Sequence, residues 1–509
     1  MRILASVALA ALAALAAGCT ASQIDDGPTA ASFPALAGAD RCAAVTPAML
    51  GATSASGQWV EEAGGLPGFC EVTATLSPVD GSSIGVVYRL PASWNGKVLG
   101  FGGGGWIGNI AVQTAAEGLR KGYATLQTDG GHPIGNVWDN SWAANPEAAK
   151  DFAWRGIHEM TVAGKQLVAA YYDRPHRKAY FQGCSTGGRM ALMSAQRFPA
   201  DYDAISAGAP VYTLQVQTSA VLRNLTFARN GGGFTPEDLA LAKSSALAAC
   251  DADDGLKDGL INDPRQCRWD PATIQCPGAK NASCLAPGQV TALKTIYEGV
   301  KAPDGEWAMF PMSRGGETGW TLFVGTAGTG NDPSGGGGLS GLVPIIFGNQ
   351  PVDLANFSLA NVQQVRSSAF AEMYEAKDPD LSDFFEHGGK LLLWHGENDP
   401  GPSPVGTNDY VRAVLAENSA ALSSMRYFTM PGVEHCRGGP GADQVEWLDA
   451  LADWDETGAA PDMLLGKQSD GSLTRPHCAW PTVANYRPTA GGGDGNNPSN
   501  WQCEPRAST

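Results

Sequence analysis

The chain has 509 residues, of which 43% are hydrophobic and 17% are charged, as is typical of a globular protein with a large core. Its 34 Lys and Arg residues and 51 Asp and Glu residues give a formal net charge of −17. This acidic balance, without a visible run of Lys or Arg, argues against nucleic acid as a partner, because nucleic-acid binding needs a basic face.

The N-terminus has the features of an export signal. Arg2 precedes an almost unbroken run of Ile, Leu, Val and Ala over residues 3–17, which is too short to predict a membrane-spanning helix. The run ends in small residues before Cys19, as in the lipobox of bacterial lipoproteins. We therefore predict a signal peptide over residues 1–18 and lipidation of Cys19, giving a periplasmic or outer-membrane lipoprotein. Ordinary cleavage, giving a soluble periplasmic or secreted protein, is the alternative.

Residues 19–40 are rich in small and polar residues and predict a flexible tether. From about Arg41 onward, apolar runs and helical patterns alternate. The predicted elements, in chain order, are strands at 84–90, 97–101 and 123–127, a helix at 152–172, a strand at 179–182, a helix at 188–198, strands at 389–396 and 425–429, and a helix at 445–454. This alternation indicates an α/β fold, with helices on both faces of a mostly parallel sheet.

The stretch at 212–386 has a different composition, with four cysteines, a cluster of Asp residues and a Gly-rich loop at 325–341. We interpret it as an insertion into a catalytic domain formed by residues 41–211 and 387–509. The Gly- and Asn-rich residues 489–500 predict an irregular tail.

Ten cysteines remain after Cys19, an even number, as a full set of disulfides in an exported protein requires. No C-x-x-C pair is present, which argues against a thiolate zinc site. Proximity along the chain suggests four pairs and leaves two distant cysteines, Cys184 and Cys436. The four are Cys42 with Cys70, Cys250 with Cys267, Cys276 with Cys284, and Cys478 with Cys503. Spacing alone leaves the connectivity open.

Residues 183–187 match the G-x-S-x-G pattern, with a predicted strand before them and a helix after them. In such a turn a serine hydroxyl is exposed at the carboxyl end of a sheet, and here that serine is Ser185. The N–H group of Thr186 at the start of the helix can stabilise an oxyanion. An ordinary glycine-rich turn between strand and helix is the alternative.

A serine nucleophile needs a base and an acid, which in α/β-hydrolases follow it in the order acid and then histidine. His435 lies in a polar turn between a predicted strand and a helix, and Asp399 lies just beyond the strand at 389–396. Weaker candidates are His387, His395 and His477 for the base, and Glu397, Asp201 and Asp203 for the acid. A bridge from Cys184 to Cys436 would bring Ser185 and His435 together. Two unrelated bridges are the alternative.

Together these residues resemble the tannase and feruloyl esterase family, which includes a terephthalate monoester hydrolase. The resemblance covers nearly the whole chain from about Arg41. It is carried by residues 183–189 and 197–203, by His395 and Gly396 with Asp399, and by Gly432 with His435 and Cys436. It implies an α/β-hydrolase core with an inserted lid, a triad of Ser185, Asp399 and His435, a disulfide between Cys184 and Cys436, and the four other pairs suggested by proximity.

The resemblance also implies a structural calcium ion in the lid, at residues 251–260. Its ligands would be the carboxylates of Asp251, Asp254 and Asp258 and the carbonyls of Leu256 and Leu260. Calcium takes oxygen ligands from a tight turn that glycines permit, although this segment lacks the terminal Glu of an EF-hand. A solvated acidic turn is the alternative.

The family places a second oxyanion donor in the glycine run at 102–105, and among these we choose Gly104. We assign Trp320 and His395 to substrate binding, with a lid-core position as the alternative for Trp320. The implied function is hydrolysis of esters of aromatic acids such as ferulate or gallate. Alternatives are a terephthalate monoester hydrolase, an amidase or depsidase, and a non-catalytic, calcium-stabilised protein that binds aromatic acids.

Overall fold

The computed structural model describes residues 38–133, 135, 139–230, 233–322, 339–348, 350–488 and 493–506. The predicted signal peptide, Cys19 and most of the Gly-rich loop lie outside these ranges. The first helix begins at Gly38, so ordered structure starts inside the predicted tether at 19–40. Within the described ranges, no helix is long and apolar enough to cross a membrane.

The strands of the described chain form one large sheet and three hairpins. They are β1 (Ser54–Val60), β2 (Phe69–Leu76), β3 (Ile84–Pro91), β4 (Lys97–Phe101), β5 (Ala124–Thr128), β6 (Lys178–Cys184), β7 (Ala204–Gly208), β8 (Val300–Lys301), β9 (Trp307–Met309), β10 (Lys390–Gly396), β11 (Met425–Met430), β12 (Met463–Lys467), β13 (Thr474–Cys478), β14 (Thr482–Tyr486) and β15 (Trp501–Pro505).

The α-helices of the same residues are α1 (Gly38–Ala43), α2 (Val112–Arg120), α3 (Pro146–Lys150), α4 (Gly156–Tyr172), α5 (Thr186–Arg197), α6 (Gln215–Arg229), α7 (Pro236–Cys250), α8 (Pro287–Glu298), α9 (Leu339–Phe347), α10 (Leu359–Arg366), α11 (Ala369–Tyr374), α12 (Ser382–Glu386), α13 (Pro404–Glu417) and α14 (Trp447–Thr457). A π-helical turn at Asp151–Arg155 leads directly into α4.

The large sheet has nine strands in the order β1-β2-β3-β5-β4-β6-β7-β10-β11. Six neighbouring strands, β5, β4, β6, β7, β10 and β11, pair in parallel. The strands β3, β2 and β1 extend the sheet beyond β5 in antiparallel pairs. The predicted α/β fold with a mostly parallel sheet is confirmed.

Helices cover both faces of the sheet, and alternate residues of a strand therefore enter opposite cores. In β10, Leu391 and Leu393 pack into the core that contains α4 and α5, whereas Leu392 and Trp394 pack against α2 and α14. Because both faces are buried, a strand such as β10 reads as a continuous apolar run.

The chain leaves the sheet after β7 and returns to it at β10, its direct neighbour, with Ile205 opposite Leu391. The intervening residues form α6 to α12 and the β8–β9 hairpin. Part of this inserted segment has its own apolar core, which includes Leu239, Leu293 and Trp320. The insertion begins where the carboxyl ends of the parallel strands meet, which brings α6 close to the region where a ligand binds in open α/β sheets.

Five disulfides join the cysteine pairs that the sequence and the resemblance predicted. They are Cys42–Cys70, Cys184–Cys436, Cys250–Cys267, Cys276–Cys284 and Cys478–Cys503. This set of bridges indicates that the protein works in an oxidising compartment, either extracellular or periplasmic.

Candidate active site

The turn between β6 and α5 places Ser185 in a strained backbone conformation. Its φ of 65° and ψ of −124° lie where L-residues are rare, at a cost of about 1–3 kcal/mol. Three backbone hydrogen bonds hold it there: Ser185 N–H donates to Gly208 O (3.0 Å), and the N–H groups of Arg189 and Val211 both donate to Ser185 O (3.1 Å each). A Cβ atom at Gly183 would lie 2.4 Å from the carbonyl oxygen of Gly187, so the chain folds back this closely only with glycine. The turn therefore presents the serine hydroxyl at the carboxyl end of β6.

Three polar side chains from distant parts of the chain form one hydrogen-bonded series. His435 Nε2 lies 2.8 Å from Ser185 Oγ, and His435 Nδ1 lies 2.7 Å from Asp399 Oδ2. The disulfide between the neighbouring Cys184 and Cys436, with a Cα–Cα distance of 6.0 Å, joins the two loops beside this series. These distances permit proton transfer from the serine to the histidine.

Asp399 is buried but remains ionised. Burial alone would raise its pKa, but His435 and His395 outweigh that effect and lower the pKa from 3.8 to about 2. Its second oxygen, Oδ1, accepts a hydrogen bond from Gly401 N–H at 2.8 Å. A charged acid in this position stabilises the imidazolium that forms when the histidine accepts a proton.

The structure corrects the predicted roles of His395 and Trp320. His395 is fully buried behind the acid, with Nε2 at 3.1 Å from Asp399 Oδ2 and Nδ1 at 2.8 Å from Thr407 Oγ1. Trp320 is 2% exposed and packs against Tyr297 in the core of the inserted segment. Neither side chain lines the cavity beside Ser185. His395 therefore supports the acid, and Trp320 supports the inserted segment.

A cavity of about 700 Å³ opens beside Ser185 and His435, within the size range of small-molecule binding sites. Its aromatic residues are Phe101, Trp106, Trp394 and Trp447. Sequence reasoning missed Trp394 and Trp447, which are distant in the chain and stack with ring centroids 5.0 Å apart. An apolar residue on a core strand or helix carries no local signal that it reaches a cavity.

The glycine run after β4 also lines the cavity, as does Thr186. Gly102 N–H donates to Gln182 O (3.1 Å), and Gly103 N–H points at the sulfur of Met190 (3.4 Å). A Cβ atom at Gly104 would meet no atom within 4 Å, so this residue borders open space. Thr186 donates its hydroxyl to Gly105 O at 2.6 Å and ties the two loops together. Gly104 and Thr186 both line the cavity, and their backbone N–H groups stay the predicted oxyanion donors.

The acidic segment at 251–260 lies against the C-terminal hairpins. Asp251 accepts the backbone N–H groups of Asp258 and Gly259, and Asp258 pairs with Arg475 at 2.5 Å. Burial, reinforced by the charges of Asp258 and Asp251, raises the pKa of Asp254 to about 7. Buried carboxylates beside one another are costly without a cation, so the chemistry of this donor set fits calcium.

The side chains of the segment do not converge fully. In the part of the chain that the structure describes, no group of three or more His, Cys, Asp or Glu side chains is placed to hold a metal ion. The predicted set relies equally on the carbonyls of Leu256 and Leu260, and the disulfide from Cys250 to Cys267 closes the segment.

Comparisons with known proteins agree with this geometry. The family model described as "Tannase and feruloyl esterase" matches residues 70–330 and 337–503. The mono(2-hydroxyethyl) terephthalate hydrolase of Piscinibacter sakaiensis is 33% identical over 520 residues, which cover 87% of this chain and 85% of that protein. Feruloyl esterase B of Aspergillus niger is 29% identical over 463 residues, covering 85% and 86%. The crystal structure of feruloyl esterase B from Aspergillus oryzae superposes with a TM-score of 0.82 at 25% identity, covering 92% of this chain and all of that one (100%).

Proposed function

The chain belongs to the tannase and feruloyl esterase family and is a carboxylic ester hydrolase, and from this premise we propose that it cleaves esters of aromatic acids such as ferulate or gallate. The observation that carries the proposal is the hydrogen-bonded series of Ser185, His435 and Asp399 at the edge of a large cavity with aromatic walls. The inserted segment serves as a lid, because Val216 and Gln217 of α6 line the same cavity.

The proposed reaction is acyl transfer in two steps. His435 Nε2 takes the proton of Ser185 Oγ as that oxygen attacks the ester carbonyl, and the backbone N–H groups of Thr186 and Gly104 stabilise the resulting oxyanion. His435 then gives the proton to the departing alcohol, which leaves an acyl-serine. A water molecule gives a proton to His435 as its oxygen attacks the acyl carbon. His435 then returns that proton to Ser185 Oγ, which releases the aromatic acid and the free serine.

The aromatic walls favour a planar acyl group over a short aliphatic one. Aromatic rings pack on one another in stacked or tilted arrangements worth about 0.5–1.5 kcal/mol beyond the buried area. Trp106 stands beside the glycine run that holds the proposed oxyanion donor and lines the cavity there.

A hydrolysis panel tests this substrate class. We expect kcat/KM for methyl ferulate or methyl gallate to exceed that for methyl acetate by at least about tenfold, because only the aromatic acyl group uses the cavity walls. Equal rates for the aromatic and aliphatic esters would contradict the aromatic specificity. Binding of aromatic acids without cleavage of any ester would favour the non-catalytic alternative.

A specific observation favours a second candidate, a monoester that carries a free carboxylate, such as a terephthalate monoester. Arg437 follows Cys436 and, among the described residues that line the cavity, is the one Lys or Arg side chain. The charge of Glu117 on the same wall is offset by Lys121 at 3.0 Å, and Asp443 accepts the backbone N–H of Gly438 at 2.7 Å. Arg437 is exposed and, among the residues that the structure describes, forms no ion pair, so it is available to an anionic group of a substrate.

The panel separates the two candidates when a terephthalate monoester and its neutral diester are added. If the substrate carries a carboxylate, Arg437→Gln should raise KM for the monoester by about fivefold, the value of a partly exposed ion pair, and leave KM for the diester unchanged. Equal effects on both esters would argue against recognition of a carboxylate by Arg437. The neutral phenolic esters would then remain the better class.

We also propose that residues 251–260 bind a structural calcium ion through Asp251, Asp254, Asp258 and the carbonyls of Leu256 and Leu260. The ion would neutralise buried carboxylates in the segment that contacts the C-terminal hairpins. Calcium in excess over chelator should raise Tm by about 5 °C, because a ligand that binds only the folded state stabilises it. Asp254→Asn should abolish most of this rise. A Tm that does not respond to calcium or to chelation would overturn the proposal.

A further inference from the structure

The first helix of the inserted segment places a buried arginine behind the acid of the active site. Arg223 lies on α6 and is 1% exposed. Its guanidinium donates from Nη1 to the carbonyls of Pro400 (3.1 Å) and Gly401 (3.2 Å), and from Nη2 to Gly401 O (3.3 Å). Both carbonyls belong to the loop that directly follows Asp399.

One peptide group of this loop contacts both Arg223 and the acid. The carbonyl of Pro400 accepts from Arg223, and the N–H of the same peptide group, on Gly401, donates to Asp399 Oδ1 at 2.8 Å. A positive charge on the carbonyl side polarises the peptide and strengthens the hydrogen bond that its N–H donates. Arg223 therefore acts on the carboxylate through one rigid, planar unit.

Burying a guanidinium is costly unless nearby charge compensates for the lost water. The hydrogen bonds of Arg223 described above go to backbone carbonyls. Burial lowers the pKa of the guanidinium, and the negative charge of Asp399 opposes this fall. The pKa nevertheless stays at about 10, so the side chain is charged at neutral pH. A charge buried at this cost, against this loop, suggests a role in the site.

We propose that Arg223 is a positioning residue that fixes the Pro400–Gly401 peptide, so that Asp399 is held in line with His435 and His435 with Ser185. The inference rests on the proposed catalytic role of that series. Arg223 also connects the inserted segment with the catalytic domain. Val216 and Gln217, on the same helix as Arg223, line the cavity, so one element of the inserted segment both contacts the substrate region and supports the acid.

The test compares kcat, KM and Tm of Arg223→Met and Arg223→Lys with the unmodified enzyme. Arg223→Met should lower kcat about 10- to 100-fold and change KM less than twofold, because the acid is displaced while the cavity wall remains. Arg223→Lys keeps the positive charge but has a single donor nitrogen, and it should recover part of kcat. Normal kcat in Arg223→Met, or no difference between the two variants, would overturn the proposal.

Arg155→Met is the matched control. Arg155 is also a buried arginine, paired with Glu147 and Asp151, and its hydrogen bonds lie away from the acid loop. Arg155→Met should have a lower Tm and an unchanged kcat per folded molecule. The number of folded active sites is counted with a fluorophosphonate, which labels activated serines. If Arg223→Met does not fold, Arg223→Lys alone tests the proposal. An unchanged kcat in that folded variant would show that the hydrogen bonds of the guanidinium to both carbonyls are not needed. If the unmodified enzyme neither hydrolyses esters nor reacts with the probe, the proposed function itself fails.

Discussion

Replacing Ser185 by alanine should lower kcat for a methyl ester of an aromatic acid by about 10⁵-fold or more. The substitution removes the only atom that can form the acyl-enzyme, and water must then attack without covalent catalysis. The residual rate would come from the oxyanion donors and from substrate binding. Because alanine is smaller than serine and the strained turn keeps its backbone hydrogen bonds, Tm should change little.

The control for this prediction is Ser194→Ala. Ser194 is a buried serine on α5, the helix that follows the nucleophile, and its hydroxyl donates to Met190 O at 3.0 Å. This variant should keep kcat within about twofold, since only a local helix hydrogen bond worth about 1 kcal/mol is lost. If Ser185→Ala retained more than about 1% of the activity, another residue would have to be the nucleophile.

Among the five disulfides, the one between Cys184 and Cys436 should lower the free energy of unfolding most when it is removed. The bridge closes a sequence separation of 252 residues, and the chain-entropy relation assigns about 5 kcal/mol to a loop of that length. The double variant Cys184→Ala with Cys436→Ala should therefore unfold at a lower denaturant concentration. It should also lose at least about tenfold in kcat, because Ser185 and His435 are no longer joined through their neighbours.

The bridge between Cys276 and Cys284 supplies the control. It closes a sequence separation of only 8 within the inserted segment and should contribute about 2.5 kcal/mol on the same relation. Removing it should lower the free energy of unfolding by that smaller amount and leave kcat unchanged. Equal kcat in the enzyme with and without the bridge from Cys184 to Cys436 would show that the rest of the fold positions the two loops.

Much of the fold could be predicted because it is encoded locally. The run at 97–101 was predicted as a strand and forms β4 with those bounds, and the pattern at 389–396 forms β10. Continuous apolar runs and helical spacing are local consequences of burial on a two-sided sheet. The order of strand, serine turn and helix around Ser185 is local in the same sense.

Strand β7 was not predicted, although it lies at the centre of the sheet between β6 and β10. Its residues, Ala204–Gly208, are mostly small and have little intrinsic preference for a strand. A Cβ atom at Gly208 would lie 2.1 Å from the ring of Trp394, so this strand must be small where a distant tryptophan crosses it. That requirement comes from packing and leaves no apolar run in the sequence.

The sequence by itself determined the class of enzyme, and it named the three residues that the structure brings together in one hydrogen-bonded series, Ser185, His435 and Asp399. The serine turn and the cysteines beside Ser185 and His435 are recognisable in short segments, and together with Asp399 they carried the family resemblance that implied this series.

The tertiary structure decided how the remaining residues take part. Both His435 and His395 contact the carboxylate of Asp399, at 2.7 and 3.1 Å, but the former also contacts Ser185 while the latter is buried behind the acid. The cavity wall and the contacts of Arg223 likewise unite residues that are distant in the chain, and Arg223 and Gly401 are 178 positions apart. Such contacts depend on how strands pair and helices pack, which local patterns of hydrophobicity do not encode.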